Sequence, residues 1–140
     1  MKTIIQIVER ACGYDHLRTE QLTLKNPPFM DLVLDVLYSP ERTLLRIGHY
    51  GVQNGDLMAD PEMIIEILTD EGFNPLSNRN DYIGYYREVD ESNDDRANQK
   101  LKRELNQFLL SWDRNIAAQG FLDAMSKFKP GEPSGSQSKE

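Results

Sequence analysis

Residues 46–68 read RIGHYGVQNGDLMADPEMIIEIL, and how this stretch is divided decides the fold. An apolar run that closes on His49 and Tyr50 meets a turn rich in Asn, Gly and Asp, and a β-branched run follows at 63–68. That is strand, loop, strand. Gln53, Asn54, Asp56, Asp60 and Glu62 are more polar side chains than a minimal hairpin needs, so residues 54–62 are read as a functional loop.

The chain on either side extends the sheet. Leu22 and Leu24 alternate with Gln21 and Thr23 in a first strand that ends at Asn26-Pro27-Pro28. From Met30 to Tyr38 every even position is large and apolar, while Asp31 and Asp35 share the other face with Val33 and Leu37. Ser39-Pro40-Glu41-Arg42 is a turn, and 43–50 leads back as a third strand with one solvated side. After the fourth strand at 63–68, residues 74–80 read as a loop, and YIGYYREV at 82–89 as a fifth strand in which Gly84 marks a bulge.

Helices flank these strands. Thr3 with Gln6 has the form of a capping box ahead of a short amphipathic helix bearing Ile4, Ile5, Val8 and Ala11, which Gly13 stops. The acidic connector DESNDD at 90–95 caps a long helix whose Leu101, Leu105, Phe108, Leu109, Trp112 and Ile116 form one apolar stripe. Gly120 ends it, and Phe121, Leu122, Met125 and Phe128 suggest a further short helix. The expectation is a single α+β domain over 1–129, in the order α-β-β-β-β-β-α. Its antiparallel sheet has about five strands, covered by the long C-terminal helix with the short N-terminal helix beside it. Residues 130–140, without an apolar side chain, read as a disordered tail.

Composition narrows the function classes. A length of 140 residues suffices for one core without disulfides or a structural metal. Cys12 is the lone cysteine, which excludes an intrachain disulfide and points to a reducing compartment. Nothing near the N-terminus has the form of a signal peptide and no run is long enough to span a bilayer, so a cytoplasmic protein that keeps its N-terminus, without membrane contact, is expected. A net charge of -7 repels phosphate. Direct nucleic-acid binding is therefore disfavoured, and the basic grooves of other proteins become the natural counterparts of such a surface.

No motif raises catalysis above this. Asp56, Asp60 and Glu62 cluster as oxygen donors but match no EF-hand spacing, and turn chemistry explains them, so no metal is expected. His49, and His16 near Cys12 and Asp15, read as partly buried structural imidazoles. Tyr82, Tyr85, Tyr86 and Arg87 fall on both faces of their strand and run straight into acids, which argues against base stacking. The acids Glu88, Asp90, Glu91, Asp94 and Asp95, with Asp56, Asp60, Asp70 and Glu71, form either a solvated face or a spaced surface that imitates a phosphate backbone.

The segments MKTIIQIVE, NPPFMDLVL, HYGVQNGDLMADPEM, NDYIGYYREV and WDRNIAAQGF together resemble a family of small uncharacterised accessory proteins from bacterial plasmids, phages and integrative elements. LNQFLLSW in the long helix is more distantly similar to YqiB-like proteins. The resemblance covers most of residues 1–121 and implies an accessory protein of mobile DNA, a class that often blunts host defences. If its shared residues mark a site, that site holds His49, Asn54, Gly55, Asp56, Asp60, Glu62, Asn80, Asp81, Trp112, Arg114, Asn115 and Gln119. The expected function is protein binding without catalysis or cofactor. An anti-defence inhibitor (anti-CRISPR or antirestriction) would occupy the basic nucleic-acid groove of a host effector. The alternatives are a small-molecule or nucleotide site made by the 54–62 loop and the end of the long helix, and an enzyme using His49 with Asp56 or Glu62.

Overall fold

A computed structural model describes residues 1–69 and 72–127; Asp70, Glu71, Phe128 and the expected tail at 130–140 lie outside the described residues. The elements run α1 (Lys2–Arg10), α2 (Tyr14–Thr19), β1 (Leu22–Asn26), β2 (Phe29–Leu37), β3 (Thr43–Gln53), β4 (Asp56–Ile67), β5 (Phe73–Asn80), a single 3-10 turn (Asp81–Ile83), β6 (Tyr85–Glu88), α3 (Arg96–Ala118) and α4 (Phe121–Met125). The α+β class holds, but the expected order α-β-β-β-β-β-α does not, since α2 stands between α1 and the sheet and α4 follows α3. The sheet has six strands, not five, paired antiparallel in simple sequence order from β1 to β6.

Three differences from the sequence reading have physical causes. Residues 54–62 are not a loop: Asn54-Gly55 is a two-residue hairpin turn, with Gln53 opposite Asp56, Val52 opposite Leu57 and Tyr50 opposite Ala59. Both turn residues have positive φ, which Asn and Gly adopt most readily, so this Asn-Gly pair suffices and the polar residues beyond it belong to strands. Residues 74–80 are a strand, β5, which the sequence hides because it buries the polar Ser77 and Asn78 and so shows no apolar run. Pro75 is tolerated where the β4–β5 register slips. The expected fifth strand at 82–89 shrinks to the 3-10 turn and a four-residue edge, β6.

Alternation decides which face is buried. Leu32, Leu34 and Val36 of β2, Leu45 and Ile47 of β3, and Met63 and Ile65 of β4 join the helices in one core. Full burial of each such side chain contributes about 1.5–3 kcal/mol. The stripe expected on α3 is present in Leu101, Leu105, Leu109, Trp112 and Ile116, with Phe108 on its exposed rim. Helices pack on this side, so the face bearing Asp31, Val33, Asp35, Arg46, Tyr50 and Glu62 carries none of the core.

Thr3 does not cap α1. It lies inside the helix, and the cap comes from across the core, where the buried Asp113 carboxylate of α3 accepts the amides of Thr3 at 3.1 Å and Ile4 at 2.8 Å. A carboxylate at a helix N-terminus satisfies donors that nothing else in the helix can reach, and it faces the positive end of the dipole. Asp113→Ala is expected to lower stability by about 1–2 kcal/mol, read from urea midpoints, with amide exchange quickening first in α1. Uniform exchange across the chain would contradict this role.

Candidate functional site

The side chains expected to form a site are dispersed over three regions. His49 points into the core: only 7% exposed, its ring centroid lies 5.3 Å from that of Phe121 and 5.7 Å from that of Trp112, and Nδ1 is 3.2 Å from the Met30 carbonyl. A carbonyl oxygen only accepts, so Nδ1 carries the proton. Burial pushes the imidazole below its ordinary pKa, against the opposing pull of the Met30 and Asp31 backbone and of Asp60. Asn54 and Asp56 stand exposed at the hairpin tip, while Asp60 accepts from Asn80 Nδ2 at 2.6 Å and Asp81 accepts the Ala59 amide at 2.8 Å. Asn80 also caps the 3-10 turn through the Tyr82 amide.

Arg114 and Asn115 are exposed on α3, and Arg114 reaches Ser111 Oγ at 3.4 Å. Gln119 offers its carbonyl to Asn26 Nδ2 at 2.7 Å. Among the described residues no hydrogen bond or ion pair joins Arg114, Asn115 or Gln119 to residues 54–62. Asp56, Asp60 and Glu62 likewise take separate positions, and no group of three His, Cys, Asp or Glu among the described residues forms a metal cluster.

The acidic connector is occupied with folding. Asp90 accepts from the Ser92 amide and hydroxyl, Asp95 caps α3 through the Asn98 amide, and Glu91 shares Arg42 with Glu66. The Arg42 guanidinium in turn holds the Glu66 carboxyl below its usual range. Buried Asn98, which the sequence reading passed over, closes the loop by donating to the carbonyls of Asp90 and Asn93 and accepting the Asp90 amide. Among the described residues, the Asp94 carboxylate reaches the side chain of exposed Gln99 alone.

A different arrangement gathers on the open face of the sheet. β3 and β4 run past β2 and β5 as a two-stranded arm, and beneath it lies a concavity of about 500 Å³ whose lining includes Asp31, Val33, Arg46, Tyr50, Glu62 and Arg79. Val52 and Leu57 of the arm form its apolar wall at 71% and 67% exposure. Arg46 donates to both oxygens of Asp35, at 2.9 and 2.7 Å, a fork that fixes its plane. Tyr50 donates its hydroxyl to Glu62, and burial together with this carboxylate raises the phenol well above its ordinary pKa, so it keeps its proton. Arg79 spans Glu62 at 3.6 Å and Asp81 at 3.1 Å, the latter an ion pair whose Nε is not aligned as a hydrogen bond.

Gly48 makes this possible. A Cβ there would meet the Tyr50 ring at 2.8 Å, so the ring crosses the strand only because residue 48 has no side chain. The sequence carried a partial signal for this face, since the alternation in β2 already separated Asp31 and Asp35 from the core. It carried none for the Tyr50–Glu62 contact, which depends on the register shift between Gly48 and Tyr50, or for Arg79, which is placed only once β5 is recognised.

The domain-of-unknown-function model DUF6908 matches residues 2–122. The chain belongs to the DUF6908 family. The match runs from α1 into α4, so the DUF6908 domain includes the whole sheet and the helices that cover it. No curated protein and no solved structure matches the chain. Among the described residues no helix is long and apolar enough to cross a membrane.

Two outcomes follow from this geometry. Gly48→Ala is expected to displace Tyr50 from Glu62 and cost about 1–3 kcal/mol by overpacking, seen as a lower urea midpoint. Tyr50→Ala in the same background should recover part of that loss, and an unchanged midpoint in Gly48→Ala would refute the close approach. His49 is neutral when folded at a pH where the unfolded imidazole is charged. Stability is therefore full above the ordinary histidine pKa and declines as pH falls below it toward the depressed folded value. Urea titrations from neutral to mildly acid pH should show a smaller decline in His49→Gln than in the parent chain, and equal declines would contradict it.

Proposed function

We propose that this DUF6908 protein works by protein binding, and that it docks through the open face of its sheet rather than through the acidic connector. What supports this is one observation: a sheet face that no described helix covers carries a built concavity with fixed charges, and the exposed Val52–Leu57 pair forms its apolar wall. Interfaces of this kind combine an apolar anchor with an oriented polar surround. The partner is a host effector with a basic nucleic-acid groove. The acidic balance of the chain and its resemblance to accessory proteins of mobile DNA both favour an anti-defence role of the anti-CRISPR or antirestriction kind.

The connector contributes less to recognition in this reading, because Asp90, Glu91 and Asp95 already serve a turn, an ion pair and a helix cap. Catalysis by His49 with Asp56 or Glu62 is disfavoured by geometry. The imidazole faces the helices, Asp56 sits at the arm's tip and Glu62 lies on the opposite side of the sheet.

Affinity capture from a bacterial host lysate tests the proposal, with the parent chain, Val52→Asp/Leu57→Asp and Asp94→Asn as parallel baits. One partner should be retained by the parent and by Asp94→Asn and be lost from the double variant, with capture weakening as salt rises. Retention by the double variant, or loss confined to Asp94→Asn, would move the site back to the connector.

A further inference from the structure

The concavity under the β3–β4 arm has the chemistry to take a single side chain of the partner, and its fixed charges indicate which. Both guanidiniums in its lining already have carboxylates of their own: Arg46 is forked by Asp35, and Arg79 lies against Asp81. The less committed groups are acidic. Glu62, its side chain 13% exposed, accepts from Tyr50 with one oxygen and makes a loose 3.6 Å pair with Arg79 through the other, with Arg46 also nearby. Asp31 engages Lys25 with one oxygen, at 2.9 Å. The Tyr50 ring lies close against Gly48 and the residue lines the concavity, so an aromatic group borders the acids. Val33, Val52 and Leu57 offer an apolar path inward.

Resting on the protein-binding reading above, we propose that this concavity receives one arginine side chain from a basic partner surface. Its methylenes lie along Val52 and Leu57, and its guanidinium stacks on Tyr50 and donates to Glu62 and Asp31. Arginine fits better than lysine because a planar fork can stack on a ring and address carboxylate oxygens together, whereas an ammonium does neither as well. A carboxylate guest would meet Arg46 and Arg79 as well as Glu62 and Asp31, but Asp35 and Asp81 already offset those guanidiniums, and the net charge of -7 opposes it at longer range.

The experiment uses the isotopically labelled full chain and follows backbone amide shifts as N-acetyl-arginine methylamide is added. The neutral isostere N-acetyl-citrulline methylamide and the corresponding glutamate derivative serve as controls. Arginine should shift the amides of Tyr50, Val52 and Glu62, with citrulline about fivefold weaker or worse, the factor expected of one partly exposed charge interaction. Glu62→Gln should reduce the response similarly, and Asp31→Asn provides a second variant that leaves the Tyr50 bond intact. An equal response to citrulline, a preference for glutamate, or no shift at these amides would overturn the arginine assignment. Loss of the arginine response with capture still dependent on Val52 and Leu57 would sink this inference alone. Capture that ignores Val52 and Leu57 would sink the reading beneath it.

Discussion

The two-residue turn at Asn54-Gly55 and the one-residue register shift between Gly48 and Tyr50 together set the pairing of the long β3–β4 ladder, and both faces of the protein depend on that pairing. With Ile47 opposite Met63 and Leu45 opposite Ile65, four core side chains share the helix-covered side. The same ladder puts Glu62 opposite Gly48, and there the Tyr50 ring lies across the glycine to reach the carboxylate. A slip of one residue would exchange the two sets, exposing the aliphatic residues and burying charges. Core and candidate site are thus two consequences of one pairing.

Much of the fold was legible because it rests on local pattern. The even-numbered apolar residues of β2 and the stripe on α3 are enforced by one-sided burial, which leaves a period in the sequence. β5 left none, since Asn78 and Ser77 are buried and Pro75 interrupts the ladder at a register shift. The capping residue of α1 was equally hidden. Asp113 looks like a surface acid on a long helix until the two helices are packed together. The site is legible in outline only: Glu62 stands out, but as a loop residue; the Asn-Gly turn announces the β3–β4 hairpin but not the register shift that brings Tyr50 to Glu62, and Arg79 comes from β5, whose pairing no short-range signal reveals.

Charge tells a similar story. An excess of 23 acidic over 16 basic residues suggests a surface dominated by free carboxylates. Many are committed instead, to helix caps at Asp95 and Asp113, to turns at Asp90, and to guanidiniums at Asp35, Glu66 and Glu91. Such groups are fixed in direction and partly neutralised, so they shape a surface more than they charge it. Glu62 and Asp31 differ in combining an acidic group, an adjacent concavity and an apolar wall. In the proposed binding mode, that combination, rather than the length of an acidic run, is what an incoming protein reads.

Photo-crosslinking in living host cells tests this most directly, with benzoylphenylalanine placed at Val52 on the open face, at Leu110 on the outer surface of α3, or at Asp94 in the connector. The account predicts one discrete partner adduct from Val52 and none from the other two positions. Adducts from Leu110 or Asp94 with none from Val52 would contradict it.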